Sequence, residues 1–157
     1  MGYLSASDVT TVLLLQSSQC PNSRILTSDG KEVFCRFPAN KHNLPEGNVI
    51  LKLGKVGVKR GSQRIGAYGL RHIFEKHRRD LKLKNAEDAV MFVEKVLTKG
   101  SRVFIDRLKS DKPIVISASI GLVILEPKIV RGQEACYSVV TAYARKAHPG
   151  VLIAKVQ

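Results

Sequence analysis

Apolar residues recur with a helical period in the middle of this chain and with a strand period on either side of it. Leu70, Ile73, Phe74, His77 and Leu81 fall at i, i+3, i+4, i+7 and i+11, a stripe that predicts an amphipathic helix around Ala67–Leu81. A second stripe, Ala89, Phe92, Val93, Val96 and Leu97, follows Asn85 as a capping residue. Glu87 and Asp88 stand in its first turn and Lys99-Gly100 at its end, the order that the helix dipole and a left-handed exit favour.

Before these helices, turn formers (Cys20-Pro21-Asn22-Ser23, Ser28-Asp29-Gly30, Phe37-Pro38, Leu44-Pro45-Glu46-Gly47) bracket short strands at Ile25–Thr27, Glu32–Phe37 and Asn48–Leu53. The Asp29-Gly30 step predicts a hairpin between the first two. After Gly100 the pattern becomes extended, with strands expected at Arg102–Ile105, Pro113–Ala118, Leu122–Leu125, Ala135–Tyr143 and Val151–Val156. Strands arriving in succession over short connections argue for antiparallel pairing. The expected fold is therefore α+β: two helices packed on one face of a twisted, mainly antiparallel sheet of four to five strands. Alternation in Ala135–Tyr143 puts Tyr137, Val139, Thr141 and Tyr143 on one face. The smaller Cys136, Ser138, Val140 and Ala142 fall on the other, which is expected to lie beneath the helices.

Charge sharpens this picture. The 157 residues carry 26 Lys+Arg against 13 Asp+Glu, a net charge of +13. Residues 1–51 are neutral overall, whereas residues 52–84 hold eleven basic and two acidic side chains. So dense a run of like charge calls for a polyanion, nucleic acid before an anionic membrane or an acidic protein. Only Tyr68 and Phe74 are aromatic within it, too few for an extended base-stacking platform. No apolar run reaches the roughly 18 residues of a membrane span. Val12–Leu15 lacks a preceding basic residue and is not read as a signal peptide. Cys20, Cys35 and Cys136 are widely spaced and fit reduced thiols better than a disulfide framework or a zinc site.

Four histidines bring candidate chemistry. His42 and His148 sit among turn residues, and His77 belongs to the apolar stripe. His72 falls about 100° from Ile73 around the helix, on a face shared with Glu75, Lys76 and Arg79. Neighbouring cations disfavour its protonated form, which leaves a neutral base able to take a proton from a ribose 2′-hydroxyl. Thr141 could donate to a phosphate oxygen, Tyr143 could orient it, and Arg145 and Lys146 could add phosphate contacts. Within the basic run, Arg60, Arg64, Arg71, Lys76 and Arg79 are the expected RNA contacts. No H-E-x-x-H, P-loop or Gly-x-Ser-x-Gly motif occurs, and acidic residues are too sparse in the basic region for a two-metal nuclease. No cofactor and no metal is expected. Cleavage of nucleic acid would then run through the 2′-hydroxyl of RNA.

Gly69-Leu70-Arg71-His72-Ile73-Phe74-Glu75-Lys76-His77 resembles the G-x-x-H-I-x-x-x-H helix of domains in the barnase–EndoU–colicin–RelE nuclease superfamily. Tyr137-Ser138-Val139-Val140-Thr141-Ala142-Tyr143 is similar to the strand that closes them, and Leu44–Gly54 to the strand and glycine turn that precede their helix. The resemblance covers residues 44–157 and leaves 1–43 as an extension or decoration. It implies a metal-independent endoribonuclease toxin of bacterial competition, aimed at tRNA in the cytoplasm of a target cell and delivered within a larger secreted effector. It also implies an acidic immunity protein covering residues 52–84. Carried over by position, His72 is the general base or acid, Thr141 and Tyr143 are active-site strand residues, and Lys55 or Lys59 stabilises the transition state. The alternatives are a non-catalytic nucleic-acid-binding domain and a phage structural component of the same fold.

Overall fold

The structure, a computed structural model, describes residues 2–105, 114–145 and 150–157. Its elements run β1 (Tyr3–Leu4), α1 (Thr11–Leu15), β2 (Arg24–Ile25), β3 (Cys35–Phe37), β4 (Gly47–Lys52), β5 (Val58–Arg60), β6 (Gln63–Ile65), α2 (Gly69–His77) and α3 (Ala86–Val96). Then follow β7 (Arg102–Ile105), β8 (Ile114–Ala118), β9 (Gly121–Lys128), β10 (Ala135–Tyr143) and β11 (Val151–Lys155). The class is α+β, and antiparallel pairing dominates.

The sheet is larger than four to five strands. Among the described residues it holds nine, ordered β1-β2-β4-β10-β9-β8-β7-β11 with β3 also on β4, and β5 and β6 form a separate hairpin. It is also mixed, because β1 pairs parallel with β2 and β4 parallel with β10. The extra strands come from the N-terminal third. A turn does form at Asp29-Gly30, with the amide of Gly30 donating to the Thr27 carbonyl at 3.0 Å. Yet β2 and β3 do not pair with each other as a hairpin. Each joins β4 instead, β2 at Leu51–Lys52 and β3 at Gly47–Val49.

Residues of that third enter the common core: Leu14, Ile25 and Phe37 are fully buried with Leu70, Ile73, Val93 and Val139. Arg71 binds them in place. This arginine, expected at the surface as an RNA contact, is fully buried instead. Its guanidinium donates to the carbonyls of Leu13 (3.0 Å), Gln19 (2.8 Å) and Gly54 (2.9 Å), so it ties the N-terminal segment and the β4 exit to α2.

α2 is shorter than its apolar stripe. At its start Tyr68 is extended and pairs with Lys55 through two backbone hydrogen bonds of 2.9 and 3.1 Å. The chain crosses itself tightly here. A Cβ on Gly54 would lie 1.8 Å from the Tyr68 carbonyl oxygen, and Gly54 and Gly69 both take positive φ, so only glycine fits. Beyond its end a run of turns closes where Lys82 adopts φ 56° and the Leu83 amide donates to the Arg78 carbonyl at 2.8 Å, a Schellman-type stop. α3 starts where its cap predicts: Asn85 Oδ1 accepts from the Asp88 amide at 2.9 Å, and Asp88 Oδ2 accepts from the Lys84 amide at 2.8 Å.

The faces of β10 are the reverse of the expectation. Tyr137 and Val139 are fully buried in the core, while Cys136, Ser138 and Val140 are only partly covered. Large residues face the helices because Phe37 stacks on Tyr137, centroids 4.1 Å apart, and the Tyr137 hydroxyl donates to the Pro45 carbonyl at 2.6 Å. A β-bulge between Val139 and Thr141 then breaks the alternation, so Thr141 and Ala142 are both buried and Tyr143 is half-buried.

Candidate active site

α2 packs against β10, and the two histidines of α2 lie at this junction. His72 does not stand on a solvated basic face. It is 6% exposed, and its Nδ1 is buried without a hydrogen-bond partner. Burial, then the nearby His77 and Lys76, push its pKa down to about 4. It is therefore neutral at pH 7, chiefly through desolvation rather than through the cationic neighbours that the sequence suggests. His77 is 4% exposed; its Nε2 is likewise buried and unpartnered, and its pKa is also lowered by burial first. The two rings meet edge to face with centroids 5.8 Å apart.

From β10, Tyr143 packs edge-on to His77 at 4.7 Å, and the Arg145 guanidinium covers the Tyr143 ring at 5.4 Å. Thr141, two residues earlier, is 4% exposed with Oγ1 buried and unpartnered. With Arg71 Nη2, four unsatisfied polar atoms thus belong to one helix and one strand that pack together, an arrangement that costs stability unless other groups complete it.

The basic hairpin β5–β6 approaches from the other side. Arg64 on β6 donates to both carboxylate oxygens of Glu75 on α2, at 2.9 and 3.2 Å. That pair, followed by the charges of His72 and Lys59, holds the Glu75 carboxyl below the usual carboxylate range. Lys59 and Arg60 are exposed on β5, and Val58 and Ile65 form an exposed cross-strand pair at the hairpin base. Lys55 is exposed beside Tyr68, and Lys76 and Arg79 are exposed on and just beyond α2.

His72, His77, Tyr143 and Arg145 therefore form one chain of ring contacts from α2 to the end of β10, with Thr141 two residues earlier on that strand, while Lys59 lies within electrostatic reach of Glu75. Arg64 is committed to Glu75 and Arg71 to backbone carbonyls. Lys146 and His148 lie outside the described residues. Sequence reasoning missed Glu75 as the anchor of the hairpin and His77 as a second unsatisfied imidazole. The i, i+5 spacing of the two histidines was its one available signal.

No family model, no curated protein and no solved structure matches the chain. The chemistry must be read from the site itself. Two neutral imidazoles, a hydroxyl, a phenol and flanking cations can move a proton and stabilise an oxyanion. Among the described residues, no group of three or more His, Cys, Asp or Glu side chains could hold a metal ion.

Proposed function

We propose that this protein is a metal-independent endoribonuclease whose active centre is the α2–β10 junction. The observation that carries this reading is the set of buried, unpartnered polar atoms on His72, His77 and Thr141, beside cations that can receive a phosphate. A nucleophile's proton needs a neutral base, and burial keeps His72 neutral across the physiological range. In the proposed reaction His72 takes the proton of a ribose 2′-hydroxyl and the 2′-oxygen attacks the adjacent phosphorus. The bond from phosphorus to the 5′-oxygen breaks, and the proton held by His72 passes to that oxygen. The products are a 2′,3′-cyclic phosphate and a 5′-hydroxyl. Thr141 donates to a phosphoryl oxygen, Tyr143 holds His77 in place, and Lys59, with Lys55 next along the chain, offsets the negative charge that develops.

The same reading makes tRNA the substrate class, the cytoplasm of a target bacterial cell the place of action, and an acidic inhibitor protein the cover for residues 52–84. Among the described residues no helix is long and apolar enough to cross a membrane. A second reading, a phosphate clamp without catalysis, draws on the burial of His72, which leaves only 6% of its surface for a substrate.

Incubation with total tRNA and rRNA, followed by end-group analysis, separates the two. The ribonuclease reading requires cyclic-phosphate and 5′-hydroxyl ends, undiminished by EDTA and abolished in His72→Ala with RNA affinity retained. Binding without cleavage, or equal cleavage by His72→Ala, overturns it in favour of the clamp.

A further inference from the structure

The strand register builds a second polar site on the sheet face turned away from the α2–α3 core. Ser138 on β10 lies opposite Ile50 on β4 and opposite Glu126 on β9. Directly paired residues share a face, and so do residues two apart on one strand. Lys52, two beyond Ile50, and Lys128, two beyond Glu126, therefore join Ser138 and Glu126 on that face. Val49, Leu51, Tyr137, Val139 and Leu125 point the other way into the core.

Tyr68, the residue that caps α2, closes one side, and the result is a cleft of about 230 Å³ lined by Lys52, Tyr68, Glu126, Pro127, Lys128 and Ser138. The Tyr68 hydroxyl points to Asn22 Oδ1 at 3.4 Å. Its phenol is pushed up by burial first, against the opposing charge of Arg71, with the Glu126 carboxylate adding to the rise. Among the described residues neither lysine nor Glu126 forms an ion pair, although cations and carboxylate line one cleft.

We propose that this cleft binds one ribonucleotide unit of an RNA strand. Lys52 and Lys128 hold its phosphate, Tyr68 stacks on its base, and Glu126 accepts a hydrogen bond from a ribose hydroxyl. Each group matches one part of the ligand. Two unpaired ammonium groups suit a phosphate and would repel a cationic ligand. A carboxylate in the same cleft weakens binding of a bare phosphate but accepts from a 2′-hydroxyl, the group that distinguishes RNA from DNA. An aromatic wall stacks on any base without reading its identity. The volume is below the roughly 300–1,000 Å³ of drug-sized sites, which fits a single nucleotide unit and not a larger cofactor. Position supports the assignment as well: Tyr68 precedes His72 by four residues, about 6 Å of helix rise.

The polymer to which this nucleotide belongs rests on the ribonuclease reading, but the test requires no cleavage. Calorimetric titration of the whole protein with AMP, dAMP and inorganic phosphate should give the order AMP, then dAMP, then phosphate. Lys128→Ala, an exposed substitution with little bearing on the fold, should weaken AMP at least about fivefold. Glu126→Ala should erase the preference for AMP over dAMP while keeping the thermal transition of the wild type. AMP binding unchanged in Lys128→Ala, or inorganic phosphate competing as well as AMP, would overturn the proposal. Nucleotide binding with these properties in a protein that cuts no RNA would uphold the cleft and refute the ribonuclease. Cleavage without such binding would do the opposite.

Discussion

His77 stands edge-on to Tyr143, with ring centroids 4.7 Å apart and planes inclined by 70°. This contact joins the last turn of α2 to the end of β10, and His77 in turn meets His72 edge to face. Both histidines are buried although the neighbouring Lys76, Arg78 and Arg79 are exposed. Four expectations follow from such arrangements.

Acid should destabilise the fold. His72 titrates near 4 in the folded chain and near its ordinary 6.5 when unfolded. Between these values the unfolded chain binds a proton that the folded one refuses, so stability present above pH 6.5 is lost as pH falls toward 4. The loss is about 3 kcal/mol for His72 alone, and His77 shifts the balance the same way. Urea unfolding at pH 7.5 and pH 4.5 measures it; His72→Phe should flatten the difference, and an unchanged difference would refute the origin assigned here.

Removing the Thr141 hydroxyl should separate stability from activity. Oγ1 is buried without a partner, so Thr141→Val should leave stability unchanged or raise it by up to about 1 kcal/mol. If the hydroxyl contacts the reacting phosphate, RNA cleavage should fall roughly 10²-fold. Activity equal to wild type would remove Thr141 from the site.

Arg71→Ala should act on the fold and not on RNA contact. It deletes three hydrogen bonds to carbonyls and opens a cavity in the core, a loss of about 2–5 kcal/mol. Limited proteolysis should then cut residues 2–22 well before the rest of the chain. Wild-type resistance in this variant would show that other contacts hold the segment.

Arg64→Gln should loosen the hairpin and raise the titration point of His72. The Arg64 charge depresses the imidazole and the Glu75 carboxylate supports its protonation, so removing Arg64 favours the charged form on both counts. NMR of the ring protons against pH detects the change. The exposed part of the pair contributes little to stability, about 1 kcal/mol or less, so a large drop in melting temperature would contradict the assignment.

The helices were legible because their signals are local. The Asn85 cap and the stripe Ala89, Val93, Val96 act within a few residues, and they form α3 as the pattern predicts. In the N-terminal third the places of β2, β3 and β4 were legible but not their pairing: β2 and β3 have partners on β4 rather than on each other, and nothing nearby in the chain encodes that choice. The faces of β10 were misjudged because side-chain size suggested one side and tertiary neighbours, Phe37 and Pro45, occupy the other. Of the candidate site, the residue types were readable on α2 and β10. The burial of His72, the bidentate hold of Arg64 on Glu75 and the reassignment of Arg71 were not.

By itself the sequence determined the α+β class, the helices α2 and α3 but not the short α1, the concentration of positive charge in residues 52–84 and the histidine-bearing stripe. These follow from periodicity, capping and charge, which neighbouring residues settle among themselves. Only the tertiary structure decided the nine-stranded mixed sheet, the parallel pairing of β4 with β10 and the desolvated state of His72 and His77. Each of these depends on which distant surfaces exclude water from one another. That is settled by the packing of the whole chain, and it turns a basic helix into the wall of a buried site.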